Sequence, residues 1–536
     1  MGVQSKIILI LISCLLVSFQ IAAQTESISI QNSNSVLIVP KTGLNASELA
    51  LIVNDADAQP VEIANYYKMK RGIPEANLIH VNHGVPWIYD VTTFNSIRSQ
   101  VMNALQNLPN VQALAITWQG GSQTVGAGMS LSSAMTFGYN TGYVGYNRTG
   151  TCSMTTGSPY FASSTTRPRS ELNLIPTVVM AGGSIAAIKN GIDRGFSSDQ
   201  TFPQGHGYFV RTADTSRSIR YSDFQATVNS WNRPDALSLS YIDNSNGAYG
   251  ADYIEGQSSV LFYQTGLTNV PQIDSNIFVP GALADHLTSY GGSLFDNGQM
   301  SLVHFLDAGA AASYGTVSEP CSYTSKFPQA SILVANYFKG ASALEAYSKS
   351  VYAPGEGHVA ANDPLARPYK TKAALDANNE VHITTTQLVP GQTYTISGSD
   401  SLNGTYTTLV SNISVSAPSI QDIQVSGPMY AFYKLATSGG GGNPPPPPPP
   451  ADTVAPTVSI DSMSVVRRKL QITLSAQDNV LVSRIECYMN GVLKGSDTSA
   501  PYSIAIDTKR MSPGTYSVQY RAYDAAGNIG YSSAVS

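Results

Sequence analysis

Charge is scarce in this chain of 536 residues: 12% are Asp, Glu, Lys or Arg, and the formal net charge is −5. That balance offers no basic surface to nucleic acid, which is not expected as a partner. Cysteine is scarcer still. There are four, and Cys14 lies in an apolar leader, so a disulfide-dense scaffold is excluded. The seven histidines never form HExxH or His-x-His, and no metal site is expected. GxGxxG and the P-loop pattern are both missing. Gly120-Gly121 after Ala115–Trp118 resembles a phosphate loop only superficially, so neither a nucleotide nor any other cofactor is expected. Beyond Phe19 no apolar run approaches the ~20 residues of a membrane span.

What is present begins with an address. Lys6, the apolar run Ile7–Phe19 and the small-residue exit Gln20-Ile-Ala-Ala-Gln24 read as a secretory signal over residues 1–23, cleaved after Ala23. Leu11-Ile-Ser-Cys14 also fits a lipoprotein signal, which is the minor alternative. Glycine (45) and tyrosine (30) are abundant, as suits a loop-rich protein outside the cell or on its surface. In an oxidising compartment two of Cys152, Cys321 and Cys487 can pair. Cys152 and Cys321 share the large domain and are expected to form a disulfide. Cys487 lies in an alternating strand and reads as a buried small hydrophobe.

Composition divides the chain. Four glycines and seven prolines mark a flexible-then-stiff linker at 438–451, and the polyproline part spans ~22 Å. Beyond it, 452–536 reads as a β-sandwich, with a hairpin at Asn490-Gly491 and Ile485, Cys487 and Met489 on one face. Asp524 and Asn528 read as a turn, with a calcium site as the rarer alternative. Residues 376–437 carry period-2 strands and form a small β domain. Residues 36–370 alternate strand and helix: Ala50–Val53, a helix from Pro60 to Arg71 closed by Gly72, Leu78–Val81, a helix bearing Phe94, Ile97, Val101 and Leu105, then Ala113–Trp118. That order predicts a mostly parallel, doubly wound sheet.

The chemistry-bearing residues gather in Pro280–Cys321. Asp285-His286 beside Thr288-Ser289 offers a base and hydroxyls at a strand end. The bland reading is a turn-capping aspartate and a hydrogen-bonded histidine. Gly291-Gly292 permits close backbone approach, to a ligand or to a neighbouring strand. Glu319 follows the next strand and precedes Cys321, a nucleophile only if it is not in a disulfide. His206, between two glycines, is a further candidate base. His304 reads as a partly buried structural histidine. The candidate catalytic set is therefore Asp285, His286, His206 and Glu319. The Asp and Arg residues of 193–220 read as a structural ion-pair web, with an anion site as the alternative.

Several segments together resemble a family of secreted bacterial proteins: LALIVNDADAQPVEIANYYKMKRGIPEANLI, GIDRGFSSDQTFPQGHGYFVRTADTSRSIR, FYQTGLTNVPQIDSNIFVPGALADHLTSYGG and QMSLVHFLDAGAAASYGTVSEPCSYTSKFPQ, with GASALEAYSKSV and NDPLARPY. They cover roughly residues 45–370 and imply a family likeness without a mechanism. The order GAAASYGTV, the GASALEAYSKS helix and Asp363-Pro364 is similar to caspase-type and gingipain-type cysteine peptidases. In those, one strand ends in His-Gly and the next in the catalytic Cys. The matching ends here are Thr265-Gly266 and Ala284-Asp285-His286, so neither residue is in place. VAPTVSI, VSRIECYMNG and GTYSVQYRAYDAAGNIG resemble bacterial Ig-like modules. The resemblances imply an α/β domain with a caspase-like sheet, then a small β domain and an Ig-like sandwich. The function expected is a secreted or surface-associated protein binding a ligand or partner at its strand-end cleft. The Ig-like module would be a spacer or attachment arm, the partner an extracellular polysaccharide or protein, and the chain a monomer. The alternative is an extracellular hydrolase related to peptidases.

Overall fold

The computed structural model describes residues 24–120, 122–145 and 152–438, and residues 455–535 except 467–468, 479–481, 498–501, 510, 513 and 525–527. The signal expected over residues 1–23 and residues 439–451 of the expected linker lie outside the described residues.

The α/β domain is built on one sheet. Its strands are β1 (Leu49–Asn54), β2 (Leu78–Val81), β3 (Ala113–Ile116), β4 (Thr177–Val179), β5 (His206–Arg211), β6 (Ser238–Asp243), β7 (Val260–Thr265), β8 (Phe278–His286), β9 (Ala312–Thr316) and β10 (Gly357–Ala361). Across the sheet they run β6-β5-β7-β8-β9-β10-β4-β3-β1-β2. Strands β1 to β4 pair in parallel with one another and with β10. Strands β5 to β9 pair in parallel. Strands β9 and β10 pair antiparallel, Ala312 opposite Ala361 and Thr316 opposite Gly357. Eight of the nine neighbouring pairs are parallel, in keeping with the mostly parallel expectation, and the single antiparallel pair makes the sheet mixed. Two parallel halves run in opposite directions, and each has the 2-1-3-4-5 order of a doubly wound fold. The carboxyl ends of β1 to β4 lie on one edge, and those of β5 to β9 on the other.

Alternation along buried strands explains why both faces are covered. Leu49, Leu51 and Val53 of β1 join one core with Ile63 and Tyr67 of the helix α1 (Ala58–Arg71). Ala50 and Ile52 join a second core with Phe94, Ile97 and Val101 of α2 (Val91–Leu105). Helix α1 starts at Asp57, whose side chain accepts from the Gln59 N–H, and stops at Gly72 with φ 67°, the left-handed cap that favours glycine. Further helices are α3 (Leu131–Phe137), α4 (Ile185–Ser198), α5 (Tyr221–Trp231), α6 (Ala330–Phe338) and α7 (Ala343–Ser350).

Beside the seam, glycine permits contact that no side chain could. A Cβ on Gly315 would lie 2.3 Å from the Gly292 nitrogen, and one on Gly292 would lie 2.3 Å from the Gly315 oxygen. The close approach at Gly291-Gly292 is thus to β9. The Gly292 N–H donates to the Thr316 carbonyl at 2.8 Å.

Residues 372–437 form a small sandwich, and the chain start completes it. Thr25–Ser29 and Val36–Pro40 extend the sheet of Phe432–Thr437, Tyr394–Ser399 and Thr407–Ile413. Residues 36–40 therefore belong with the sandwich in space, although they precede the α/β strands in sequence. Glu26 fixes this end through a two-pronged, buried pair with Arg367, at 2.9 and 2.8 Å. Burial opposes the charge, and Arg367 still holds the Glu26 carboxyl below its ordinary range. The C-terminal module, taken by itself, has sheets of three and four strands around Ile472, Ile485, Cys487, Met489, Ile504 and Tyr520. Asn490 and Gly491 have φ of 48° and 78°, the backbone of a tight hairpin turn.

Replacing Gly315 by Ala is expected to cost about 2–3 kcal/mol, because backbone faces the added methyl. Urea unfolding would show the midpoint fall at unchanged slope.

Candidate functional site

The carboxyl edge of the second half brings together the ends of β7 and β8, with Gln264 opposite Asp285 and Thr265 opposite His286. Asp285 is fully buried. One carboxylate oxygen accepts from Arg220 Nη1 at 2.6 Å, and the other from Gln264 Nε2 at 2.6 Å and the Tyr347 hydroxyl at 3.3 Å. Arg220, just before α5, is also buried, and its second terminal nitrogen donates to the Thr265 carbonyl at 2.8 Å. Asp285 is thus the anion of an enclosed ion pair that joins β8 to the start of α5. A charge so engaged cannot orient a base without leaving Arg220 uncompensated.

His286 points elsewhere. Its Nδ1 lies 2.9 Å from the Leu267 carbonyl and its Nε2 3.1 Å from that of Met300. A neutral imidazole has one N–H for these two acceptors. Burial dominates and lowers its pKa to about 4. His358, on β10, is likewise buried, with Nε2 2.6 Å from the Gly292 carbonyl, and burial lowers it to about 4.

The remaining candidates do not join Asp285 and His286. Glu319 accepts from the Cys321 N–H at 2.8 Å, closing its own turn. Cys321 is disulfide-bonded to Cys152, with Cα atoms 6.0 Å apart. His206 opens β5 level with Val260 of β7, whereas Gln264 is level with Asp285. Four residues of strand separate them, ~13 Å. The His206 ring lies between the hydroxyls of Ser238 and Ser240, at 2.7 and 2.8 Å. His304 is exposed and faces Asp296 at 3.1 Å, which corrects the buried reading. Its neighbours Val303, Phe305 and Leu306 take the inner face of the short helix Val303–Asp307 instead. Of the 193–220 charges, only Asp214 and Arg217 pair with each other, at 2.8 Å. Asp193 turns to Lys70, Arg211 to Asp243 and Arg220 to Asp285.

Three features escaped the reading of the sequence. Arg220 and Gln264 are distant from Asp285 along the chain, and only pairing of the strands unites them. Asp376, Glu380 and His382 have donor atoms within 4.8 Å of one another. His382 lies between Asp376 and Asp422, at 3.6 and 3.3 Å, and the Asp422 carboxylate raises its pKa. The cluster is thus satisfied by contacts among its own side chains. The third feature is Trp87, on the opposite edge. It follows β2, is 60% exposed, and meets Phe295 with ring centres 4.9 Å apart. Its carbonyl is held by the N–H and hydroxyl of Ser122, beyond β3, at 2.6 and 2.7 Å.

Residues 456–519 match the family model of a bacterial Ig domain. Among solved structures, fibronectin(III)-like modules of Clostridium thermocellum CbhA share 26% identity over 15% of this chain and 89% of theirs, at a TM-score of 0.14. The Arg-specific cysteine proteinase gingipain R shares 8% identity over 92% of this chain and 98% of that one, at a TM-score of 0.35. The complex of Porphyromonas gingivalis RgpB pro- and mature domains gives 8% identity over 90% and 99%, at a TM-score of 0.31. No curated protein matches the sequence. No helix among the described residues is long and apolar enough to cross a membrane.

Asp285→Ala is expected to cost about 3–5 kcal/mol by stranding Arg220, and Asp285→Leu combined with Arg220→Met to recover most of it. Chemical denaturation of the three variants measures both effects. The buried histidines set a pH dependence. Their folded pKa values lie below the unfolded value, so the unfolded chain binds more protons between them. Stability is full above pH ~6.5 and falls toward pH ~4, by about 3 kcal/mol per histidine. His358→Gln should flatten that part of the curve of urea midpoint against pH.

Proposed function

We propose that this chain is a secreted or surface-held modular protein whose α/β domain binds an extracellular polysaccharide at a strand-end rim. In this reading the C-terminal Ig-like module is a spacer or attachment arm. The observation that carries the proposal is Trp87. A tryptophan this exposed at the carboxyl edge of β1 to β4 costs solvation that a bound ligand would recover. Ile88 beside it is also exposed, at 48%. The C–H face of a sugar ring stacks on such a surface, and the sparse charge suits a neutral, hydroxyl-rich ligand. Phe295 backs the indole, and the two bonds from Ser122 hold its backbone, so the platform is preorganised.

The hydrolase reading has less support. Asp285 is engaged by Arg220, His286 faces two carbonyls, and Cys321 is bound to Cys152. The groups that could share a reaction are each committed inside the fold.

Sedimentation with insoluble cell-wall and plant glycans tests the proposal on the full chain. Retention of the wild type on at least one glycan is expected, with Trp87→Ala weakening it about tenfold or more. Retention unchanged by Trp87→Ala, or none on any glycan, overturns it. Peptide hydrolysis abolished by a folded His286→Gln variant would install the hydrolase reading in its place.

A further inference from the structure

A second, unrelated site lies beside the segment that enters β4. A cavity of about 440 Å³ opens between α2 and α3, lined by Arg98, Met102, Phe137, Tyr143 and Arg169. This lies within the range of small-molecule sites, roughly 300–1,000 Å³. Two of its walls are cationic. Arg169 directs its terminal nitrogens at the carbonyls of Leu105, Leu108 and Val111, at 2.6, 2.6 and 3.2 Å. It thereby caps the carboxyl end of α2, and its donors are largely used. Among the described residues Arg98 donates only through Nε, to the Met135 carbonyl at 3.1 Å.

Neither arginine forms an ion pair with a carboxylate among the described residues, whose pairs involve other side chains. Burial alone displaces both guanidinium pKa values, downward, with no anion acting against it. Arg169 is met by three carbonyls at the end of α2, whereas Arg98 is a half-buried cation with one carbonyl and no acidic partner among the described residues, which is a cost. The rest of the wall mixes apolar side chains with Thr136 and Asn173. Phe137 and Tyr143 stack with ring centres 4.8 Å apart at 20°.

We propose that this cavity binds an organic carboxylate, its anionic head on the free terminal nitrogens of Arg98 and its apolar body along Met102 and the Phe137–Tyr143 stack. A guanidinium fork suits a planar, two-oxygen anion. Arg169 adds positive charge and holds the end of α2 in place. The site is independent of the Trp87 rim and can succeed or fail without it.

The test is titration calorimetry on the full chain with sodium octanoate, octanol, benzoate and inorganic phosphate. Octanoate or benzoate should bind, and octanol and phosphate should each bind at least tenfold more weakly. Arg98→Gln should weaken carboxylate binding by about tenfold or more, the worth of a charge-assisted bond. Met102→Trp fills the cavity while leaving Arg98 intact, and should abolish binding in a folded protein. The proposal is overturned if neither carboxylate binds at about 10 mM, where even weak ligands raise thermal stability. It is equally overturned if octanol or phosphate matches the carboxylates, or if a folded Arg98→Gln or Met102→Trp variant binds as the wild type does.

Discussion

One antiparallel pairing organises the α/β domain. Strands β9 and β10 are the only neighbours in the ten-stranded sheet that run against each other, and every other strand takes its direction from the side of that seam on which it lies. Reversal at the seam sends the two sets of carboxyl ends to opposite edges. A doubly wound sheet places ligands at carboxyl ends, so this domain has two edges of that kind. One is filled from within by the Arg220–Asp285 pair, Gln264 and Tyr347. The other carries Trp87 facing outward.

Much of this was legible in the residues, for identifiable reasons. Helix α1 announces itself with Pro60 and Gly72, both acting within a few residues of the chain. Asn490-Gly491 marks its hairpin in the same local way. Burial of Ile485, Cys487 and Met489 follows from a period of two. What stayed hidden depends on strand direction and on distant partners. The run Gly357–Ala361 is short and contains His358, and nothing in it says whether it will lie parallel or antiparallel to β9. The likeness of 280–321 to a catalytic edge arose because Asp, His, Glu and Cys are close in sequence. Their neighbours in space are Arg220, two backbone carbonyls, a turn N–H and Cys152. His304 was misplaced because hydrophobic neighbours on a short helix do not reveal which way the odd residue faces.

The polar interior of this domain consists of groups that hold elements together. Arg220 with Asp285, and Arg367 with Glu26, each tie segments remote in sequence. Such enclosed pairs add little net stability compared with apolar replacements, but losing one partner is costly. The first joins a strand end to a helix start, the second a strand to a loop. The small sandwich depends on the same device, since Glu26 sits on its outermost strand and Arg367 on the loop that leaves the α/β domain.

The Cys152–Cys321 bridge bears on what happens when the chain is cut. It joins residues 169 positions apart, one preceding the last strand of the first parallel half and the other following the last strand of the second. Closing so long a loop removes unfolded-state entropy worth on the order of 5 kcal/mol in the chain-entropy account. It also makes the domain tolerant of being cut. A protease that severed any exposed loop between the two cysteines would leave two fragments still covalently joined and still sharing one sheet. The same nick elsewhere in the domain would leave only packing to hold the pieces together.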